Sequence, residues 1–280
     1  MTIHAGVRAH DFGKLPLEQL AAEVAARGLC CVQFAAPKSI PGLDDDAGRL
    51  SPGLALHVRD TLAARGVHIA VLGCYINLAD PDDASRRHHL ARFKAYLRLA
   101  RDFGCSLVGT ETGSLHSDFS FHPDNHGEPA FQRVLAGVRE LVQEAERFGS
   151  TVAIEAVERY VIHEPKRLRR LLDEVGSPNL QVILDPVNLL NAGNVHRQDE
   201  IIEEAFALLG ERIAVLHAKD CLLVDGVLKS VPAGQGQLNT PLFFRLAKRH
   251  KPGIDVLLED TQPATLQQTV DFVRAAWEKA

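Results

Sequence analysis

Along the chain, short runs of apolar, often β-branched residues alternate with longer stretches in which apolar residues recur at steps of three and four. The first pattern predicts β-strands and the second amphipathic helices. The strand candidates are IHAGVRA (3–9), LCCVQFAA (29–36), VHIAVLGCY (67–75), CSLVGTET (105–112), STVAIEAV (150–157), LQVILDP (180–186), RIAVLHAKD (212–220) and GIDVLLED (253–260), eight in all. Between them, stretches such as LPLEQLAAEVAARG place Leu17, Leu20, Ala21 and Val24 on one helical face. Several helical stretches end on a glycine just ahead of the next strand, at Gly28, Gly66, Gly104, Gly149 and Gly176, where a left-handed residue stops a helix without a Cβ clash.

The strand candidates are apolar nearly throughout rather than alternating, as in a parallel sheet covered by helices. Eight βα units without a break in composition predict one α/β domain over residues 1–280, a closed (β/α)8 TIM barrel. An open doubly wound sheet is the alternative, but AHDFGKLP, the stretch after the first strand, lacks a glycine-rich dinucleotide turn. Two connections exceed what linkage requires. Residues 113–129, GSLHSDFSFHPDNHGEP, are polar and carry His116, His122 and His126; residues 221–238 hold a hairpin signal at Asp225-Gly226 and the sequence VPAGQGQ. Both follow strands, so both belong to the C-terminal mouth of the barrel.

Composition narrows the partners. Of 280 residues, 46% are hydrophobic and 24% charged, and the formal charge of −5 offers no basic surplus to draw a phosphate backbone. Nucleic acid is therefore not an expected partner. MTIHAGVRAH shows no basic-then-apolar leader, and no run of about 18 apolar residues occurs, so a cytoplasmic protein without a membrane partner is expected. Five scattered cysteines (Cys30, Cys31, Cys74, Cys105, Cys221) lack CxxC spacing and read as reduced, structural thiols.

Reacting groups in (β/α)8 barrels sit where strands end at the C-terminal face. The fifth to eighth strands end in AIEAVE, ILDPVN, VLHAKD and LLED, delivering Glu155, Asp185, His217 and Glu259 to one mouth. Each follows an aliphatic neighbour that turns to the opposite face, so the four polar side chains can face the axis together. Three carboxylates in a partly dry barrel repel and do not all stay ionised without a cation between them. This donor set predicts one divalent metal ion, Mn²⁺ or Mg²⁺ by preference, with Co²⁺ or Zn²⁺ admitted by His217. Arg8 and His10 at the first strand, Gln33 in the second, Glu111 in the fourth, and Lys219 and Asp220 after His217 are further polar candidates for binding hydroxyls or a phosphate. Gly234-Gln235-Gly236 is either a phosphate loop or a turn passing close over the metal.

Together AIEAVE, ILDPVN, VLHAKD, PAGQG and LLED resemble the xylose isomerase-like TIM barrel family, which groups sugar and sugar-phosphate isomerases and epimerases with the endonuclease IV type of nuclease. The resemblance implies that Glu155, Asp185, His217 and Glu259 hold the metal and that Glu155 and Glu259 transfer protons. It also implies that Glu158, three residues after the first glutamate, touches substrate. The alternative for Glu158 is a surface ion pair with Arg159 or Lys166. Where many relatives have a histidine three residues after the strand-six aspartate, this chain has Asn188, so the substrate contact there passes to an amide. With Lys219 and Arg8, these complete the expected substrate-binding set.

The implied activity is isomerisation or epimerisation of a small sugar or sugar phosphate through a metal-stabilised enediolate. A metal-dependent dehydratase of a cyclic polyol ketone is the alternative. The nuclease is disfavoured because its additional histidines are missing from VLGCYIN and VGTETG. The resemblance further implies a homo-oligomer, a dimer or a tetramer.

Overall fold

The computed structural model describes residues 2–280. In chain order the strands are β1 (His4–Arg8), β2 (Cys31–Phe34), β3 (His68–Gly73), β4 (Leu107–Glu111), β5 (Thr151–Glu155), β6 (Leu180–Leu184), β7 (Ile213–Ala218), β8 (Asp220–Val224), β9 (Val227–Val231) and β10 (Asp255–Leu258). Every strand predicted from the sequence is present, shortened at its ends. Eight of the ten close a parallel barrel in the order β1-β10-β7-β6-β5-β4-β3-β2, and β8 and β9 pair outside it. The sequence-predicted (β/α)8 barrel is the observed fold.

The helices are α1 (Leu17–Ala26), a single turn α2 (Ala36–Ser39), α3 (Pro52–Ala63), α4 (Asp83–Leu99), α5 (Glu128–Phe148), α6 (Pro165–Val175), α7 (Gln198–Leu209), α8 (Thr240–His250) and α9 (Leu266–Lys279). Their starts are chemically marked. Ser51 accepts from Leu54 N at 3.2 Å, Asp82 from Ala84 N at 2.9 Å, and Asn239 from Leu242 N at 3.1 Å, each satisfying a free first-turn N–H. α5 and α6 end on the left-handed Gly149 and Gly176. The predicted face of α1, Leu17, Leu20, Ala21 and Val24, is buried against the barrel. Among the described residues, no helix is long and apolar enough to cross a membrane.

Strand register fixes which residues face the axis. Glu155 pairs with Glu111 and Ile183, Ile183 with Val215, and Leu257 with His217. With a period of two, Gly109, Ala153, Ile183, Val215 and Leu257 therefore form an apolar layer one step below the polar residues of the mouth. Gly109 is small for a steric reason, because a Cβ there would lie 2.6 Å from Ile183 Cδ1 and 2.8 Å from Val71 Cγ1. The barrel centre is thus packed solid, and solvent reaches polar side chains only at its two ends.

Candidate active site

The mouth holds a cavity of about 860 Å³. Glu155 ends β5, Asp185 follows β6, His217 lies in β7 and Glu259 follows β10, and all four are buried. The predicted quartet is brought together. His217 Nδ1 lies 3.1 Å from Glu155 Oε1 and 3.2 Å from Glu259 Oε1. Donor atoms of Glu155, Asp185 and His217 all lie within 4.8 Å of one another.

This donor set fits a divalent cation. Ligands bonded at about 2.1 Å around one octahedral ion stand about 3 Å apart, close to the His217–glutamate separations. Asp185 Oδ1 accepts from Val187 N at 2.8 Å, which fixes the carboxylate, while its buried Oδ2 has no partner in hydrogen-bond geometry. That oxygen instead makes an ion pair with Lys219 Nζ at 2.9 Å, and the same ammonium donates to Glu259 Oε2 at 3.0 Å. Three carboxylates outnumber the one ammonium between them, and a divalent ion taking the place of the His217 proton would supply positive charge they lack.

The electrostatics follow from this crowding. Burial opposes a charge on His217, yet Glu155 and Glu259 outweigh it and raise the imidazole to about 9. Burial, against the pull of Lys219, pushes Asp185 up to about 6. Burial also opposes ionisation of Glu259, but Lys219, His217 and Arg8 hold it below the usual carboxylate range. On the cavity wall, burial and then the charges of Glu155 and Glu259 push Glu111 up to about 8. Burial and Arg8 push His10 down to about 4, leaving it neutral.

Each predicted substrate-binding residue lines the cavity. Asn188 Nδ2 donates to Glu155 Oε1 at 2.7 Å, orienting the glutamate. Glu158 makes no surface ion pair with Lys166, which pairs with Glu204; its Oε1 accepts from Asn191 Nδ2 at 2.7 Å. Arg8 bonds Asp11 at 2.9 Å and Asp260 at 3.0 Å and stands 3.7 Å from Glu259 Oε1. Lys219 touches two members of the quartet, so it neutralises the site as well as lining it.

Asp220 plays a different part. Its buried carboxylate accepts from Cys221 N at 2.8 Å, Gly234 N at 3.1 Å and Leu238 N at 2.8 Å. The loop around Gly234-Gln235-Gly236 is therefore a turn wrapped on Asp220, with those N–H groups already paired rather than turned to a phosphate. A side chain at Gly236 would overlap Asp220 Oδ1 and Cys221 O. The Asp225-Gly226 turn is as predicted, with both residues at positive φ (51° and 76°), and its hairpin reaches over the mouth through Val227 and Leu228.

Tyr75 is the residue that sequence reasoning missed. Its hydroxyl donates to Glu155 Oε2 at 3.2 Å and accepts from Gln33 Nε2 at 3.2 Å, so β2 and β3 hold the glutamate on β5 across the barrel. Phe119, at a positive φ of 63° in the long loop, brings a ring to the cavity rim against Tyr160. His116, His122 and His126 are occupied in that loop: His116 bonds Ser120 and packs edge-on against His122, and His126 bonds Glu158 O.

The Xylose isomerase-like TIM barrel family model matches residues 9–276. No curated protein matches the chain by sequence. Similar solved structures include a xylose isomerase domain protein from Planctomyces limnophilus, 18% identical with a TM-score of 0.74, covering 99% of this chain and 97% of that one. The D-psicose 3-epimerase of Clostridium cellulolyticum H10, crystallised with D-tagatose, is 15% identical with a TM-score of 0.73, covering 99% of each chain. The 3-keto-D-glucoside 4-epimerase of E. coli is 16% identical with a TM-score of 0.69, covering 98% of this chain and 99% of that one. At these identities the likeness is one of fold. With the closed barrel and a family match over nearly its whole length, the chain belongs to the xylose isomerase-like TIM barrel family.

Proposed function

We propose that this protein is a divalent-metal-dependent isomerase or epimerase of a small carbohydrate, acting by proton transfer next to a ketone. The observation that carries this reading is the convergence of His217 Nδ1 with one oxygen each of Glu155 and Glu259, with Asp185 beside them, under an open cavity. Glu155, Asp185, His217 and Glu259 would hold the ion. When bound, it would supply positive charge to stabilise the negative charge that develops on substrate oxygen.

The chain's own residues supply the rest. Glu155 and Glu259 stand on strands three places apart around the barrel, so the two carboxylates approach the cavity from different sides. One takes the proton from the carbon beside the ketone, and the other returns a proton to the opposite face, which inverts that carbon with no net change in composition. Asn188 and Tyr75 hold Glu155 in place; Lys219 and Arg8 hold Glu259 ionised. Glu158, Asn188, Lys219 and Arg8 form the polar wall for substrate hydroxyls.

Two further points bear on substrate. The loop N–H groups of Gly234 and Leu238 are engaged by Asp220, which favours an unphosphorylated sugar. The fold relatives named as D-psicose 3-epimerase and 3-keto-D-glucoside 4-epimerase add support for a ketosugar. The test is deuterium uptake by NMR, using the protein with Mn²⁺ and a pool of ketoses in D₂O. Exchange at a carbon next to the carbonyl, abolished by EDTA, is the expected result. A product lighter by one water would replace this reading with a dehydratase, and the absence of exchange over a broad pool would overturn it.

A further inference from the structure

At the end of the barrel opposite the mouth, the inward-facing columns begin with a second polar cluster. His4 opens β1, Cys31 opens β2, His68 opens β3 and Asp255 opens β10. In register, His4 pairs with Asp255, Gly6 with Cys31, and Cys31 with His68, so these side chains share the axial face that carries Arg8 and Gln33 at the other end. One donor atom from each of Cys31, His68 and Asp255 lies within 4.8 Å of the other two. His68 Nε2 is 2.9 Å from Asp255 Oδ2, and His4 Nδ1 is 3.5 Å from Asp255 Oδ1. Gly6 makes the room, since a Cβ there would overlap the Cys31 sulfur. Cys30, the neighbouring residue, bonds the carbonyl of Ala5 at 3.5 Å and keeps its thiol beside that of Cys31.

We propose that Cys31, His68 and Asp255 form a second metal site, for a borderline divalent cation of the zinc class, with His4 beside them for the fourth position. The donor types are those zinc takes, one thiolate, imidazole nitrogens and a carboxylate oxygen. Bonds of about 2.3 Å to sulfur and about 2.0–2.2 Å to nitrogen and oxygen put tetrahedral donors roughly 3.2–3.8 Å apart, a spacing the cluster reaches by small side-chain rotations. The Cys31 side chain is fully buried, whereas His4 and His68 are half-exposed, so the ion has an entry path to an otherwise closed thiol. Binding replaces the Cys31 S–H bond with a sulfur–metal bond, and the proton leaves to solvent.

The site differs in kind from the mouth. It joins β10, β1, β2 and β3, where the first and last barrel strands meet, and protein donors can fill all four of its positions, so its role is structural. It is independent of the reaction assigned to the mouth. Its sulfur also gives it a private signal, because no cysteine is among the mouth's donors.

The experiment is a titration of the reduced, metal-free, full-length protein with Co²⁺, followed by thiolate-to-cobalt charge-transfer absorption in the near ultraviolet. The expected result is a band that saturates by two equivalents, one of them taken by the mouth without a thiolate signal, is displaced by Zn²⁺, is retained in Glu155→Gln and is lost in Cys31→Ser and His68→Gln. Zn²⁺ should raise Tm by several degrees more in the unmodified protein than in His68→Gln, where only the mouth remains to bind it. His68 is half-exposed, so its replacement does not put folding at stake. No thiolate band in the unmodified protein, or a band that survives His68→Gln undiminished, would overturn the proposal.

Discussion

At the mouth, Glu155, Asp185, His217 and Glu259 arrive from β5, β6, β7 and β10, whereas at the base His4, Cys31, His68 and Asp255 arrive from β1, β2, β3 and β10. Both groups ride on the same inward-facing period of two. Between them lie Ile183, Val215 and Leu257, all buried, with Gly109 making room. The mouth concentrates three carboxylates, whose mutual repulsion Lys219 relieves only in part, and it opens into a cavity. The base carries one carboxylate, one thiol and two imidazoles over solid packing. A barrel strand can therefore serve two unrelated ends, and the difference lies in donor type and access rather than in backbone geometry.

The mouth differs from the base most in what its two glutamates are proposed to do, which is to carry protons. Glu155→Gln and Glu259→Gln should each keep the fold and lose roughly 10²–10⁴-fold in rate, the usual worth of one positioned acid or base. Steady-state turnover with circular dichroism as the control checks this; near-normal rates at full metal content would remove that glutamate from the chemistry. Lys219→Met is next in size. It strips the only ammonium from between Asp185 and Glu259 and leaves buried charges unpaired, which should cost about 3–5 kcal/mol of stability. Measured by chemical denaturation, the loss should be smaller with saturating Mn²⁺ present, because the cation then supplies the missing positive charge. An equal loss with and without metal would mean that no ion sits beside those carboxylates.

How much of this was legible in the sequence differs by region for a physical reason. Glu155, Asp185, His217 and Glu259 each stand out locally, as a polar residue ending an apolar run, and the strand count alone places those ends in one mouth. Tyr75 gave no such signal, because its bond to Glu155 crosses the barrel between β3 and β5 and depends on the angle at which each strand leaves the sheet. Its place after Lys219 makes Asp220 a mouth candidate, yet the hairpin turns its carboxylate back onto the loop N–H groups. The cysteines read as structural thiols because none has CxxC spacing along the chain. Cys31, His68 and Asp255 lie far apart in sequence and meet only through β-strand register, with Cys31 facing His68 and Asp255 facing His4 across β1.

Tyr75→Phe sharpens the contrast on a smaller scale. It removes one hydrogen bond to Glu155 while keeping the ring, so about 0.5–1.5 kcal/mol of positioning, or roughly two- to tenfold in kcat, should go with little change in KM. A change confined to KM would place the hydroxyl on the substrate instead of on the glutamate.

The smallest effect is expected where the two ends are asked whether they communicate. Asp255 and Glu259 share β10 and its exit, four residues apart, which at about 3.3 Å per residue is roughly 13 Å of extended chain. The packed layer of Ile183, Val215 and Leu257 fills the space between, and such a layer has no second arrangement to relay a change at one end to the other. His68→Gln should therefore leave turnover at the mouth within about a factor of two at 25 °C, since a loose base shifts stability before it shifts donor positions more than 10 Å away. A tenfold fall in kcat, with Mn²⁺ content at the mouth unchanged, would show that β10 transmits strain from Asp255 to Glu259 and that the apolar layer does not insulate the ends.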